Sequence, residues 1–383
     1  MIQKRLLVIT EVYSPEDFRI NDVVNYLNKS FEITVITRVP SYPQGKLFPG
    51  YTNSFNSYSE NGITVRRYPI LLNYNTNKIN KILNVIWQPF AVAILVITTK
   101  FDKVFVFQSG SIYSYSLLFG LRLRKNISVL WSQDLWPEVG YESGLPKTRL
   151  LDFFLSFLTK FTLKNFSKVL SQNLDFKAYY SSKYNVESDV VYNFNNIDKK
   201  SFYSKRDNSN MLLYAGNIGV LQNLEEIISF FLKIKSVSNV LNRFEIYGDG
   251  SSYNKFKQKY HGLHGISFHG RVSQDIITKE LAKCRYTIFS LTKGPIRKTI
   301  PSRLQHIYNC NVPVIYVGNG ASKDFIEKYN AGLVFDDDDD ILKFINKVKS
   351  FESKTFKTSD VFNKNKILKQ IFTTLTPEKD LLA

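Results

Sequence analysis

The chain alternates short apolar runs with longer stretches of helical spacing, and it does so twice. RLLVIT, at residues 5–10, is a brief apolar run beside charged residues, which predicts a buried strand. In INDVVNYLNK the apolar residues Ile20, Val23, Val24 and Leu27 recur at three- and four-residue steps, the mark of one buried helix face. FEITVITRV, ITVRRYPI, DKVFVFQ and ISVLWSQ continue the strands. KVLSQN follows the amphipathic stretch LLDFFLSFLTKFTLKNF, and VVYN closes this half. Short apolar strands separated by helical patterns predict a parallel sheet covered by helices on both faces.

After the polar stretch NIDKKSFYSKRDNSN, read as a linker, the alternation restarts with MLLYAG and a helix over Leu224–Val237. RFEIYG, ISFHG, YTIFSL, VPVIYV and AGLVF then supply further strands. The expected fold class is α/β, with two doubly wound parallel-sheet domains. The expected division is 1–200, 201–360 and a C-terminal helix within 361–383 that returns toward the N-terminal domain. Ligands in such sheets bind beyond the carboxyl ends of the strands, so a cleft lined by both sets of strand ends is expected to be the site. The acidic run Asp336–Asp340 precedes a helical pattern and reads as a solvated cap, not a metal site.

Composition changes this picture little, and charge changes it more. Hydrophobic residues make up 44% and charged residues 22%, which excludes a disordered chain. Two cysteines, Cys284 and Cys310, supply neither a disulfide framework nor a zinc site, so a reducing compartment is expected. The start, MIQKRLLVITEVY, reads as a first strand rather than a signal peptide. In the segment 82–100 the unbroken apolar part, Phe90–Ile97, is short of the roughly 20 residues that span a bilayer, and Pro89 interrupts it upstream. It reads as a buried helix, with Lys78, Lys81 and Lys100 leaving an interfacial position open and no membrane-crossing helix expected. Lys and Arg total 51 against 33 Asp and Glu, a formal charge of +18, which calls for an anionic partner. The bases are scattered, with no helix-turn-helix, zinc-finger or RNP pattern. An anionic inner-membrane surface or a phosphorylated substrate therefore fits better than nucleic acid.

The strand ends carry the candidate chemistry. LYAGNIGVLQNLEEI is a strand, a turn around Gly216 and Gly219, and a helix, a device that lets backbone amides approach a phosphate. IYGDGSSYNKF repeats it at Gly248, Asp249 and Gly250, and SFHGRV places Gly270 and Arg271 at the next strand end. The loop IRKTIPSR brings Arg297, Lys298, Thr299, Ser302 and Arg303 to a helix start, where Pro301 leaves first-turn amides free for an anion. The competing reading is a loop whose bases are merely solvated. His261, His264 and His269 lack metal-site spacing and read as structural.

These stretches, together with EVYSPEDFRINDVV, TRVPSYPQGKLFPGY, WSQDLWPE and TIPSRLQHIYNCNVPVI, resemble the retaining glycosyltransferases of family 4, which have the two-domain GT-B fold. The nearest resemblance is to the bacterial branch that builds O-antigen and capsule repeat units. The resemblance implies a nucleotide-sugar donor, UDP-linked by expectation, held by the C-terminal domain. It also implies a polyprenyl-diphosphate-linked saccharide acceptor met by the N-terminal domain at the cytoplasmic membrane face. Neither a cofactor nor a metal is expected. Where many members carry two glutamates eight residues apart, this chain has Lys298 and His306, with Asn311 in place of a glycine. PSRLQ, with Gln305, fits the branch pattern P-S-K-x-Q. The Arg and Lys of the family's G-R-x-x-x-x-K turn fall on Asn217 and Gln222, and the histidine beside Asp134 is Gln133.

The resemblance thus places Gly216, Asn217, Gly219, Gln222, Gly248, Asp249, Gly250, Arg271, Arg297, Thr299, Ser302, Gln305 and His306 around the donor. It places Lys298, Arg303 and Asp134 at the reacting centre, and Arg19, Asn21, Gln133 and Glu138 around the acceptor. Asp134 reads equally as a cap of the following turn. Two other classes stay open beside the transferase: a GT-B-fold sugar-nucleotide epimerase, and a noncatalytic partner subunit that kept the fold.

Overall fold

A computed structural model describes residues 3–42, 44–74, 76–120, 127–142, 145–194, 209–336, 338–351 and 360–377. Nearly all of the linker stretch lies outside the described residues. The chain divides into two compact units, one of residues 1–192 with 365–383 and one of residues 193–364.

The first unit runs β1 (Arg5–Thr10), α1 (Arg19–Leu27), β2 (Glu32–Arg38), β3 (Asn56–Glu60), β4 (Ile63–Tyr68), α2 (Lys78–Ile97) and β5 (Lys103–Gln108). A 3-10 segment, Ile112–Gly120, leads to β6 (Ile127–Ser132), α3 (Glu138–Glu142), α4 (Arg149–Asn165), β7 (Lys168–Ser171), α5 (Leu174–Tyr184) and β8 (Asp189–Val190). The strand order is β3-β4-β2-β1-β5-β6-β7-β8, parallel except for β3. That exception is a hairpin the apolar pattern does not reveal, because NSYSE is polar. Its turn is Asn61-Gly62, both at positive φ (52° and 76°), the geometry an Asn-Gly hairpin favours.

The second unit runs β9 (Met211–Ala215), α6 (Leu224–Val237), β10 (Arg243–Tyr247), α7 (Tyr253–Lys259), β11 (Ile266–Gly270), α8 (Gln274–Leu281) and β12 (Tyr286–Ser290). It ends with α9 (Ser302–Asn309), β13 (Val314–Val317), α10 (Ala321–Lys328), β14 (Gly332–Phe335) and α11 (Ile341–Ser350). Its order, β11-β10-β9-β12-β13-β14, is parallel throughout. Leu212, Tyr214, Ile246, Ile288 and Ile315 of the sheet pack against Ile227, Phe231 and Ile234 of α6 in one buried cluster. Asp340 caps α11, accepting from Lys343 N at 2.8 Å. A last helix, α12 (Lys364–Leu375), lays Phe372 on Tyr26 and Phe31 of the first unit, where Lys103 Nζ donates to Leu375 O at 2.5 Å.

The helix expected over 82–100 forms as α2 and extends beyond its unbroken apolar run. The helix runs unbroken through Pro89, and by length and composition alone Ile79–Ile97 is apolar enough to cross a membrane. Proline costs one backbone hydrogen bond there, and burial of the helix outweighs it. Ala91, Val92, Leu95 and Val96 lie in the core with Leu7 and Ile36, while buried Asn84 exchanges hydrogen bonds of 2.8 Å with the backbone of Leu71. One face of α2 is therefore a core face.

Candidate functional site

Three strand ends of the second unit are stitched into one surface by backbone bonds. Gly216 N donates to Tyr247 O (3.0 Å), Ile218 N to Asp249 O (2.9 Å) and Gly248 N to Gly270 O (2.8 Å). The approach is so close that a Cβ at Gly248 would stand 1.8 Å from Gly216 O, and one at Gly250 would stand 2.6 Å from Ile218 O. Side chains are therefore excluded from these turns by contact between backbones. Gln222 holds the first turn, its Oε1 accepting from Gly219 N and Asn217 Nδ2, both at 3.1 Å. Asp249 and Arg271 are exposed on the same ends.

Arg303, in the first turn of α9, lies against this surface. Its guanidinium stacks 4.3 Å from the Tyr214 ring centre and donates to Tyr214 Oη at 3.1 Å, and a Cβ at Gly216 would meet Arg303 Nη2 at 2.3 Å. Tyr214 Oη in turn donates to Asn217 O at 2.5 Å. The arrangement recurs two strands away. YAGN of β9 is matched by YVGN of β13, where Tyr316 Oη donates to Asn319 O at 2.9 Å. There the arginine is Arg297, buried against Gly318, with Nη1 donating to Asn319 Oδ1 (2.9 Å) and Nε to Leu291 O (3.1 Å). Each arginine keeps one buried N–H, Arg303 Nη1 and Arg297 Nη2, with no hydrogen-bond partner among the described residues. An unpaired buried cationic donor is costly, so two of them, against the ends of β9 and β13, describe a site made for an anion.

The other residues of α9 divide by role. Ser302 is exposed at the helix start and Lys298 and Thr299 are half-buried in the preceding loop. Gln305 points inward, its Nε2 donating to Ile300 O at 3.3 Å. His306 lies 3.2 Å from Gln274 Nε2 of α8; because that amide nitrogen only donates, His306 Nε2 accepts and the ring proton sits on Nδ1. Burial lowers the His306 pKa, which favours the same neutral form. Both cysteines are buried and neither forms a disulfide, and no cluster of three His, Cys, Asp or Glu side chains occurs among the described residues. His269 meets Glu245 at 2.6 Å and stacks on Tyr247, and His264 meets Lys235.

Residues 195–369, which contain this whole surface, match the family model described as glycosyl transferases group 1. The match likens this domain to that family, and the chain has the GT-B fold. Solved structures agree on the fold across the full chain. Sucrose-phosphate synthase from Thermosynechococcus elongatus superposes with a TM-score of 0.68 at 12% identity, covering 99% of both chains. The lipopolysaccharide outer core galactosyltransferase WaaB, in its apo form, gives 0.66 at 14%, covering 98% of this chain and 99% of its own. Anabaena HepE in complex with UDP gives 0.62 at 12%, covering 97% and 99%. A comparison with curated protein sequences returned no match.

The first unit of this GT-B-fold chain gathers a second polar group at the ends of β2, β1, β5 and β6. Its centre is Glu11, which sequence reasoning passed over. The buried Glu11 carboxylate accepts from Ser111 N (3.0 Å) and Ser114 Oγ (3.1 Å), with Arg38 Nη1 at 4.0 Å. Gly110 packs so tightly on it that a Cβ would stand 2.1 Å from Glu11 Cδ. Burial raises the Glu11 pKa, with Arg38 opposing. Asp134 is pushed up to about 6, first by burial and then by the charge of Glu11. Beside it, Gln133 Nε2 is buried without a partner among the described residues.

Two of the residues expected around the acceptor have partners within the first unit. Asn21 spends its amide on the loop, accepting from Ser14 N (3.1 Å) and donating to Glu16 O (2.8 Å). Glu138 is buried in α3, where Lys183 Nζ takes its Oε1 at 2.7 Å. The Asn21 amide and Glu138 Oε1 are thus engaged within the first unit, while Glu138 Oε2 is buried without a partner among the described residues. Arg19 is half-buried at the start of α1. The motif stretches EVYSPEDFRIN and SYPQGKLFPGY hold one another: Glu16 Oε1 accepts from Ser41 N (2.9 Å) and Tyr42 N (2.7 Å), and fully buried Arg67 donates to Ser14 O and Arg38 O while facing the Tyr51 ring. A lone glutamate directly after the first apolar strand was the available signal for Glu11.

Proposed function

We propose that this GT-B glycosyltransferase is a retaining enzyme of family 4 that moves a sugar from a UDP-linked donor to a polyprenyl-diphosphate-linked saccharide. The setting is surface polysaccharide assembly, of O-antigen or capsule, at the cytoplasmic face of an anionic membrane. The observation that carries the donor half is the paired arginine arrangement, in which Arg303 Nη1 and Arg297 Nη2 each present a buried, unpartnered N–H. Glycine turns on neighbouring strand ends bring bare backbone against this pair, the kind of turn that lets amides approach a phosphate. In the reaction, the bond from the sugar anomeric carbon to the diphosphate oxygen breaks. The bond to the acceptor oxygen forms on the same face, and the acceptor proton passes to the leaving phosphate. Negative charge grows on that phosphate, and Arg303 with Lys298 stabilises it. His306, neutral, hydrogen-bonds the donor rather than carrying charge. Asp134 orients the acceptor hydroxyl. Arginine charge takes the place of a metal, so transfer is expected to persist after chelation with EDTA; loss restored by magnesium or manganese would contradict this.

The test is a thermal-stabilisation screen of nucleotide-sugars followed by transfer to a synthetic lipid diphosphate acceptor. Stabilisation by UDP-sugars with acceptor-dependent release of UDP is the expected result. Turnover of the UDP-sugar without acceptor would mark an epimerase, and binding without any turnover a noncatalytic partner.

A further inference from the structure

Two helices of the first unit turn large apolar side chains to solvent. On α2 these are Ile79, Ile82, Ile86, Phe90, Ile94 and Ile97, spaced three or four residues apart and so aligned along one face; Ile79 is 67% exposed and Ile97 62%. On α4 they are Leu150, Phe153, Phe154, Phe157 and Phe161; Leu150 is 81% exposed, Phe153 is 73% exposed, and Phe157 stacks on Phe161. Both helices pack on the 3-10 segment Ile112–Gly120, which places them as flanks of one region. Scattered apolar residues on a surface are normal, but two aligned rows are a contact surface.

An apolar pocket of about 590 Å³ opens on the α2 row, walled by Pro69, Ile70, Leu71, Leu83, Trp87 and Phe90. Its polar groups are already used. Trp87 Nε1 donates to Pro69 O (2.7 Å), and Asn53 exchanges hydrogen bonds of 2.8 and 3.0 Å with the backbone of Ile70. Whatever enters must therefore be hydrocarbon.

Charge selects the occupant. Residues 78–100 and 147–164 carry seven Lys and Arg against one acid, Asp152, which accepts a hydrogen bond from Tyr141 Oη. Lys81, Lys100, Lys147, Arg149, Lys160 and Lys164 are exposed. A second copy of this chain would bring the same positive charge to the contact and be repelled. An anionic bilayer offers phosphates to the bases and acyl chains to the apolar rows.

We infer that α2 and α4 together form the membrane-seating face, with their apolar rows inserted among acyl chains and a lipid chain in the α2 pocket. This deepens the reading that the acceptor is lipid-linked and rests on it. It differs from purely electrostatic attraction, because the phenylalanines and isoleucines must enter the bilayer.

The experiment is co-flotation of the full chain with vesicles of phosphatidylethanolamine and phosphatidylglycerol, and with phosphatidylcholine vesicles. Ile86→Ser with Phe90→Ser, and separately Phe153→Ser with Phe157→Ser, should each weaken binding to the anionic vesicles by about tenfold or more. Lys160→Gln with Lys164→Gln should weaken it less and remove its salt dependence in part. As a check that needs no destabilising change, bromine-labelled acyl chains should quench tryptophan fluorescence, and Trp87→Phe should abolish that quenching. Retained vesicle binding in both apolar pairs, absence of quenching, or a dimer in lipid-free solution that the apolar pairs convert to monomer would each overturn the inference. UDP-sugar stabilisation, read in the same variants, is expected to be unchanged. Its loss from the unmodified chain would count against the transferase reading and leave the seating face standing.

Discussion

Arg303→Ala is the sharpest probe of the donor site. In the folded chain the guanidinium gives up a stack on Tyr214 at 4.3 Å and a hydrogen bond to Tyr214 Oη at 3.1 Å. The stack is worth about 0.5–2 kcal/mol and the hydrogen bond about 1 kcal/mol. Against that, the substitution also removes a buried, unpartnered Nη1, whose burial costs about 1–3 kcal/mol. The opposing terms nearly cancel, leaving anything from a gain of about 1.5 to a loss of about 2 kcal/mol, so melting should move by only a few degrees, since about 1 kcal/mol shifts a unit of this size by about 2–4 °C. Catalysis should suffer far more. The loss of one fixed donor on developing charge costs about 10²–10³ in turnover, equivalent to about 2.7–4 kcal/mol. Because the charge on the leaving diphosphate grows toward the transition state, affinity for the ground-state donor should fall by a smaller factor, about tenfold. The assay pairs initial rates of UDP release at saturating donor with calorimetric binding of UDP. Arg303→Lys should fall between, keeping the charge and losing the planar fork. Unchanged turnover and unchanged UDP affinity in a folded Arg303→Ala protein would remove the arginine from the site and sink the anion argument.

Asp134→Asn should stabilise the protein at neutral pH. Its folded pKa of about 6 lies above the ordinary 3.8, so the unfolded chain ionises first and stability declines as pH rises through that window. At about pH 7.5 the gain should reach at most about 3 kcal/mol, since a unit of pKa is about 1.4 kcal/mol, and melts at about pH 4 should show the gain gone; destabilisation at both values would refute the account. Gly110→Ala must displace a carboxylate held by Ser111, Ser114 and Arg38, and should cost about 2–4 kcal/mol in denaturant unfolding, with no conformational contribution because its φ is not left-handed. His306→Glu should lower transfer with the fold intact, by adding negative charge to α9 one turn from Arg303; a gain in rate would show that a lost carboxylate role had been restored.

The sequence determined the elements whose signal is local. RLLVIT and MLLYAG announce strands because a buried parallel strand needs only a short apolar run, and Ile20, Val23, Val24 and Leu27 announce a helix because its period is written in neighbouring residues. Strand ends were legible for the same reason, so Gly216, Gly248 and the Arg297–Arg303 loop could be picked out before any coordinates. What only the tertiary structure decided involves partners far apart in the chain. Glu11 meets Ser111 and Gly110 across about a hundred residues, Arg303 reaches back to Tyr214, and the likeness of YAGN to YVGN gains meaning only when each receives its own arginine. The polar hairpin strand Asn56–Glu60 carries no apolar pattern, because an edge strand needs none. Pro89 interrupts the apolar run in the sequence but not the helix, because the core that α2 buries outweighs the lost hydrogen bond. The same limit hid the apolar rows of α2 and α4. Periodicity states which residues share a helix face, whereas what covers that face is settled by the packing of other elements, and here the packing leaves it bare.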